Sequence, residues 1–203
     1  MLKIDSHQHF WKYDEARHGW INEEMGAIRQ DFMPEHLKPL LQANNIEGCV
    51  LVQVDQTLAE NDFQLKNAEE HDFVRGVVGW VDLQAADIEE QLERLSSHEK
   101  LKGFRHILQG EEDRSLMLKP GFLNGVSKLA KYNFTYDILI FEDQLTYAST
   151  LVSSYPEQLF VLDHIAKPDI KNSRITDWKK GIENLSQHEN LYCKVSGMVS
   201  AAR

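Results

Sequence analysis

The stretch Asp5-Ser6-His7-Gln8-His9-Phe10-Trp11 comes at the end of the first apolar run of the chain and decides how the fold is interpreted. On a β-strand, residues two positions apart point to the same side, so His7 and His9 share one face. Two imidazoles placed in this way can bind one divalent metal or hold one substrate oxygen between them. The alternative is a polar strand end without a function.

Seven short apolar runs predict β-strands. Val, Ile, Leu, Phe and Tyr dominate them, which is typical of strands buried on both faces of a parallel sheet. The predicted strands are residues 2–7, 48–54, 73–81, 101–107, 134–141, 159–164 and 191–195. Helical periodicity lies between them, in residues 60–71, 86–99, 127–132 and 144–154. Pro34 suits the first turn of another helix, in which Pro39 predicts a kink or a restart.

The alternation of strands and helices predicts repeated βαβ units and therefore the α/β class. Seven repeats favour a closed, TIM-like (β/α) barrel, which in complete form has eight strands and about 250 residues. The chain has 203 residues and ends after its seventh predicted strand. We therefore expect a single domain, residues 1–203, that is an incomplete barrel lacking the C-terminal strand. An open Rossmann-like binding domain is the alternative, but it would need a glycine-rich turn after strand one.

The composition narrows the class of partner. The net charge of −10, without a basic stripe, argues against nucleic-acid binding but not against a small anionic substrate. No stretch approaches the roughly 18 apolar residues that cross a bilayer, and no signal peptide is expected, so a cytoplasmic protein without a membrane partner is the default. Cys49 and Cys193 lie in apolar runs and are expected to be buried, reduced thiols. Whether the chain forms a homo-oligomer is left open.

Two further motifs place chemistry-bearing residues at strand ends. The sixth apolar run leads directly into Asp163-His164, which suits His164 as a ligand, an acid or an orienting donor. On strand four, Gly103-Phe104-Arg105-His106 places one of Arg105 and His106 inward and the other outward. An inward Arg105 would bind a carboxylate or an oxyanion.

Weaker candidates would line a pocket for substrate. Gln53 and Trp80 end strands two and three, and Asp137 interrupts an apolar strand, where its carboxylate needs a partner such as a cation. His106 joins them as a substrate-binding candidate. The long connection 11–32 carries aromatic and imidazole side chains suited to covering a pocket. Histidines in helical or connecting segments are interpreted as surface residues: His18, His36, His71, His98 and His188.

Taken together, the motifs resemble the amidohydrolase superfamily. The similar features are Asp5 to Trp11, Arg29-Gln30-Asp31-Phe32-Met33-Pro34, Val52-Gln53-Val54 followed by Glu60-Asn61, Gly76-Val77-Val78-Gly79-Trp80-Val81-Asp82, Gly103 to His106, Asp163-His164-Ile165-Ala166-Lys167-Pro168 and Lys194-Val195-Ser196-Gly197. The likeness is greatest to the amidohydrolase-related branch that contains L-fuconolactonases, L-rhamnono-lactonases and 2-pyrone-4,6-dicarboxylate lactonases. No glycine-rich phosphate loop, nucleophile elbow or Cys-x-x-Cys motif occurs, which disfavours nucleotide and serine-hydrolase chemistry.

The resemblance implies that His7, His9, Arg105 and His164 form the catalytic site. It also implies one divalent metal such as Zn²⁺, held by His7, His9 and His164, or no metal at all. Residues 134–141 contain no histidine, which argues against a two-metal site. The eighth strand of the family supplies an aspartate that activates water or binds metal, and the chain ends before it, so we expect this chain to be an inactive or poorly active fragment.

The function expected from the resemblance is the hydrolysis of a sugar lactone, or of a related carboxylated lactone, by attack of water on the ester carbonyl. A metal-dependent amidohydrolase or a non-oxidative decarboxylase of the same superfamily is one alternative. A non-catalytic barrel remnant that acts as a binding or assembly module is an alternative from another class.

Overall fold

The computed structural model describes residues 2–201, which contain seven β-strands that alternate with helices. Every strand that the sequence predicts is present, most of them shorter than predicted. The strands are β1 (Ile4–Gln8), β2 (Gly48–Val52), β3 (Val74–Gly79), β4 (Leu101–His106), β5 (Thr135–Ile138), β6 (Phe160–Leu162) and β7 (Leu191–Cys193). The helices are α1 (Pro34–Ala43), α2 (Leu58–Glu70), α3 (Ile88–Leu95), α4 (Pro120–Leu129), α5 (Leu145–Ser154), α6 (Thr176–Leu185) and α7 (Met198–Ala201).

The chain divides into two compact units, Met1–Trp80 and Val81–Arg203. In the first, β1, β2 and β3 pair in parallel, with Ile4 opposite Gly48 and Leu51 opposite Val77. The core of this sheet consists of fully buried aliphatic side chains, which is why β2 and β3 are apolar almost throughout. The connection from β1 to α1 is pinned by an antiparallel bridge in which Trp11 and Phe32 exchange two backbone hydrogen bonds of 2.9 Å.

In the second unit β4, β5, β6 and β7 also pair in parallel. Register places Arg105 opposite Asp137 and Leu162 opposite Cys193, so the carboxyl ends of neighbouring strands lie level. Edge-to-face aromatic contacts link Tyr136 to Phe122 of α4 and to Phe160 of β6. These buried rings fix the strand ends from which the polar side chains project.

Three expectations about local structure and burial were wrong. Pro39 neither kinks nor restarts its helix, because α1 runs unbroken through it; the proline is exposed, so solvent can reach the carbonyl that it leaves without a donor. Cys193 is exposed, and the other two residues of β7 are also partly or fully exposed. Cys49 is buried, as predicted. His18 is only 2% exposed and is therefore not a surface residue.

Two helices differ from the pattern that the sequence suggested. Helix α6 was not predicted, and α4 begins at Pro120, seven residues before the predicted start. Within the described residues 2–201, no helix is long and apolar enough to span a membrane.

Candidate active site

The histidine pair of the first unit converges on one point at the end of β1. The Nε2 atoms of His7 and His9 lie 3.1 Å apart, and the two rings meet edge to face. His9 Nδ1 lies 2.8 Å from the carbonyl oxygen of Val52, which can only accept, so Nδ1 carries the proton. The Nε2 of His9 therefore presents a lone pair, to which His7 Nε2–H donates.

This donor set fits a divalent metal. A carbonyl that accepts from the distal ring nitrogen is the usual outer contact of a metal-binding histidine, since it fixes the tautomer and the ring orientation. Two imidazole nitrogens bound to one Zn²⁺ at about 2.0–2.1 Å in a tetrahedral arrangement lie roughly 3.3 Å apart, close to the spacing of the Nε2 atoms here. The pair could equally hold one substrate oxygen.

The ends of β2 and β3 are fixed by helix α2. Gln53 is completely buried, and its backbone N–H donates to Val78 at 2.8 Å. The side-chain oxygen of Asn61 accepts from the backbone N–H of Trp80 at 2.8 Å, and its amide nitrogen donates to the carbonyl of Trp80 at 2.7 Å. Glu60 accepts from the backbone N–H of Val54 at 2.9 Å. Sequence reasoning did not assign these structural roles to Glu60 and Asn61; two polar residues opening a helix next to a buried strand are the signal.

The connection 11–32 borders a cavity of about 340 Å³ in the same unit. Trp11 and His18 line it together with Phe63 of α2, whereas Trp20 is 52% exposed. Tyr13 stacks on His18, with ring centroids 5.9 Å apart, which explains the burial of this histidine. The aromatic connection thus lies over a pocket, as the sequence suggests for Trp11 and His18.

The four strand ends of the second unit each supply one member of a buried ion network. Arg105 Nη1 donates to Asp163 Oδ2 at 3.0 Å, and Lys194 Nζ donates to Asp137 Oδ2 at 2.5 Å. Lys194 Nζ also forms an ion pair with Asp163 Oδ1 at 3.0 Å. All four side chains are at most 9% exposed. Two cations and two carboxylates balance, as buried charges require. The cation expected beside Asp137 is Lys194, which sequence reasoning did not single out.

Burial raises the pKa of the Asp137 carboxyl to about 6. The neighbouring Asp163 carboxylate acts in the same direction, and the ammonium of Lys194 opposes both without cancelling them. Asp137 therefore lies in the range in which a carboxyl exchanges protons near neutral pH.

His164 follows β6 in a left-handed turn. His164, Ile165, Ala166 and Lys167 all have positive φ angles, between 47° and 56°. His164 Nδ1 lies 2.8 Å from the Ser196 hydroxyl, and a Cβ added to Gly197 would come within 2.9 Å of the His164 Cβ. The turn and the glycine together fix the imidazole at the carboxyl end of the strand.

His106 points away from the ion network that holds Arg105, as strand alternation predicts. Its Nε2 lies 2.7 Å from Glu111 Oε1, and Arg105 is the buried member of the two. Within the second unit the structure therefore joins Arg105 to Asp137 through Asp163 and Lys194, and it places His106 in a separate pair with Glu111.

A cavity of about 540 Å³ lies at the carboxyl ends of β5, β6 and β7. Its lining comes from the segments that follow these strands: Phe141, Glu142, Asp143, Lys167, Pro168, Asp169 and Gly197. In β/α barrels this edge of the sheet holds the active site. Lys167 belongs to the motif Asp163 to Pro168 but was not among the predicted site residues.

Comparison with known proteins places the chain in a family. The family model described as amidohydrolase matches residues 4–202. L-Fucono-1,5-lactonase of Burkholderia multivorans is 35% identical over 207 residues, covering 99% of this chain and 70% of the relative. The protein of the same name from Burkholderia ambifaria is 32% identical, covering 99% of this chain and 69% of the relative.

Solved structures agree with this assignment. An amidohydrolase from Burkholderia multivorans with bound zinc superposes with a TM-score of 0.94 at 35% identity, covering 100% of this chain and 72% of that one. A probable 2-pyrone-4,6-dicarboxylic acid hydrolase from Acinetobacter baumannii has a TM-score of 0.80 at 19% identity, covering 99% of this chain and 72% of that one, and shows the shared fold alone. The predicted α/β fold of the TIM-like type is confirmed, and the chain belongs to the amidohydrolase family.

Proposed function

We propose that this chain is a hydrolase that opens a lactone, in particular a sugar lactone, by attack of water on the ester carbonyl. The observation that carries the proposal is the pair of imidazole nitrogens 3.1 Å apart at the end of β1, in a chain 35% identical to an L-fucono-1,5-lactonase. Convergent, oriented donors at a strand end are what polarisation of a carbonyl requires.

We assign the first step to His7 and His9. They hold one divalent metal such as Zn²⁺ together with His164, or His7 Nε2–H, oriented by His9, donates directly to the carbonyl oxygen of the lactone. When bound, such a metal supplies a Lewis acid for the carbonyl and lowers the pKa of water. His9 is oriented for either role by its hydrogen bond to Val52.

We assign the remaining roles to residues of the second unit. Arg105 stabilises the oxyanion or holds a substrate carboxylate with its guanidinium, which Asp163 orients. His164, oriented by Ser196, exchanges the proton of the leaving alkoxide. Gln53, Trp80, His106 and Asp137 are proposed to contact the substrate or to support those that do.

The test is turnover of a panel of sugar lactones, followed by pH-stat titration of the acid released, with metal content measured by mass spectrometry. We expect activity on at least one lactone, which would overturn the expectation that the chain is an inactive or poorly active fragment, and a loss of about 10²–10⁴-fold in His7→Gln and His9→Gln. His188→Gln, in the connection after α6, is the matched control and is expected to keep wild-type rates.

The outcomes separate the alternatives. Release of carbon dioxide from a carboxylated substrate, or cleavage of amides but not of lactones, would assign the chain to a decarboxylase or an amidase. A folded protein that turns over no member of the panel would favour an inactive fragment or a binding or assembly module.

A further inference from the structure

The charged residues that line the cavity beyond β5, β6 and β7 are three carboxylates and one lysine, Lys167. Asp143 accepts two hydrogen bonds from Arg114, at 2.7 and 2.8 Å, and Asp169 accepts from Arg174 at 2.7 Å. Both of these carboxylates in the lining are thus already neutralised by an arginine of the same unit.

The third carboxylate of the lining, Glu142, is hydrogen-bonded to the backbone and not to a cation. Glu142 Oε2 accepts from the backbone N–H of Asp169 at 3.3 Å. Three acidic side chains therefore face three cations, namely Arg114, Arg174 and Lys167, and only the lysine lacks a direct pairing.

Lys167 is half-buried and lies at the wall of the cavity. Its ammonium is 5.5 Å from the centroid of the Phe141 ring. In the part of the chain that the structure describes, no carboxylate lies within ion-pair distance of this ammonium. Burial lowers the pKa of Lys167, and the charge of Arg105 lowers it further, against the opposing effect of the Asp163 carboxylate.

Hydrogen bonds hold the backbone that carries Lys167. The backbone N–H of Lys167 donates to the carbonyl of His164 at 2.9 Å, and Pro168 follows. The carbonyl of Ile165 in the same turn accepts from Trp178 Nε1 at 2.6 Å. Because the backbone of the turn is already ordered, only the side chain of Lys167 has to be ordered when it binds a ligand.

We propose that Lys167 binds the carboxylate of the hydroxy acid formed when the lactone opens, or that of a carboxylated lactone. A carboxylate would give the Lys167 ammonium the direct anionic partner that it lacks, whereas a phosphate dianion would meet more repulsion from Glu142 and Asp143. The same two carboxylates can accept hydrogen bonds from hydroxyl groups of a polyhydroxy acid. The inference rests on the proposed function for the identity of the ligand, because hydrolysis of the lactone creates this carboxylate.

The experiment is a calorimetric titration of the full chain with a sugar hydroxy acid prepared by alkaline opening of its lactone. Lys167→Asn removes the charge with a residue that tolerates a positive φ angle, and Lys167→Arg retains the charge. We expect Lys167→Asn to weaken the Kd about 10–100-fold and Lys167→Arg to stay within about threefold of wild type. Lys179→Met, an exposed lysine of α6, is the matched control and is expected to leave the Kd unchanged.

The binding experiment is independent of turnover. If the wild type binds no hydroxy acid, or if Lys167→Asn, checked for folding by circular dichroism, binds it as tightly as the wild type, the proposal is wrong. An equal loss in Lys179→Met would also overturn it, since the effect would then be one of net charge. Binding that depends on Lys167 in a chain without lactone turnover would refute the proposed function while supporting this site.

Discussion

Replacing Lys194 by methionine tests the buried ion network most directly. The ammonium lies 2.5 Å from Asp137 Oδ2 and 3.0 Å from Asp163 Oδ1, and it is 9% exposed. Methionine is similar in length but leaves two buried carboxylates with one cation, Arg105. Breaking a buried ion pair in this way costs about 3–5 kcal/mol. For a chain of this size, at about 2–4 °C per kcal/mol, the Tm should fall by about 6–20 °C.

The loss should depend on pH, and the sign follows from Asp137. Its pKa in the folded wild type, about 6, already lies above the usual value of an aspartate, about 3.9. Removal of Lys194 raises the folded pKa further, so the folded variant binds a proton that the unfolded chain does not. The stability contributed by this proton is present below pH 4 and is lost as the pH rises through the folded pKa. Lys194→Met should therefore be least destabilised near pH 5 and most destabilised near pH 8.

Urea denaturation at pH 5, 6.5 and 8, monitored by tryptophan fluorescence, measures this difference. Adding Asp137→Asn to Lys194→Met leaves one buried carboxylate, Asp163, with one cation, Arg105. The double variant should therefore regain part of the stability that Lys194→Met loses at pH 8. The reasoning is refuted if Lys194→Met is as stable as the wild type at pH 8, or if the double variant is no more stable than the single one.

Three further predictions concern the strand ends. Gly197→Ala places a methyl group 2.9 Å from the Cβ of His164 on a backbone with φ of +74°, and should lower stability by about 1–3 kcal/mol and lactone turnover by at least tenfold, measured by urea denaturation and pH-stat assay. Asp137→Asn should abolish the decline in stability that this carboxyl causes in the wild type between about pH 4 and 6; a variant whose pH profile matches the wild type would contradict the raised pKa. His9→Gln should reduce the zinc retained after dialysis at least tenfold, whereas zinc content equal to that of the wild type would remove His9 from the proposed ligand set.

The strands could be predicted because their signal is local. A buried parallel strand is a short run of apolar residues, and each of the seven predicted runs contains one observed strand. The same reasoning placed His7 and His9 on one face, since alternation along a strand depends only on neighbouring residues.

The ion network could not be predicted, because its pairs join residues far apart in the chain. Asp163 meets Arg105 across 58 positions, and Lys194 meets Asp137 across 57. Nothing in a single sequence states which carboxylate a buried lysine will meet. The exposure of Cys193 escaped prediction for a similar reason, since burial of a strand depends on what packs on its two faces.

The left-handed turn after β6 could not be predicted from the sequence either, because its four residues are not the glycines or asparagines that usually adopt positive φ angles. At about 1–2 kcal/mol per residue, the turn stores roughly 4–8 kcal/mol, which is comparable to the entire net stability of many domains. Exchanging Ala166, whose φ is 56°, for glycine would relieve part of this strain. A glycine in this turn should thus raise the thermal stability of the protein. The same change would also weaken the backbone constraint that orients the His164 imidazole.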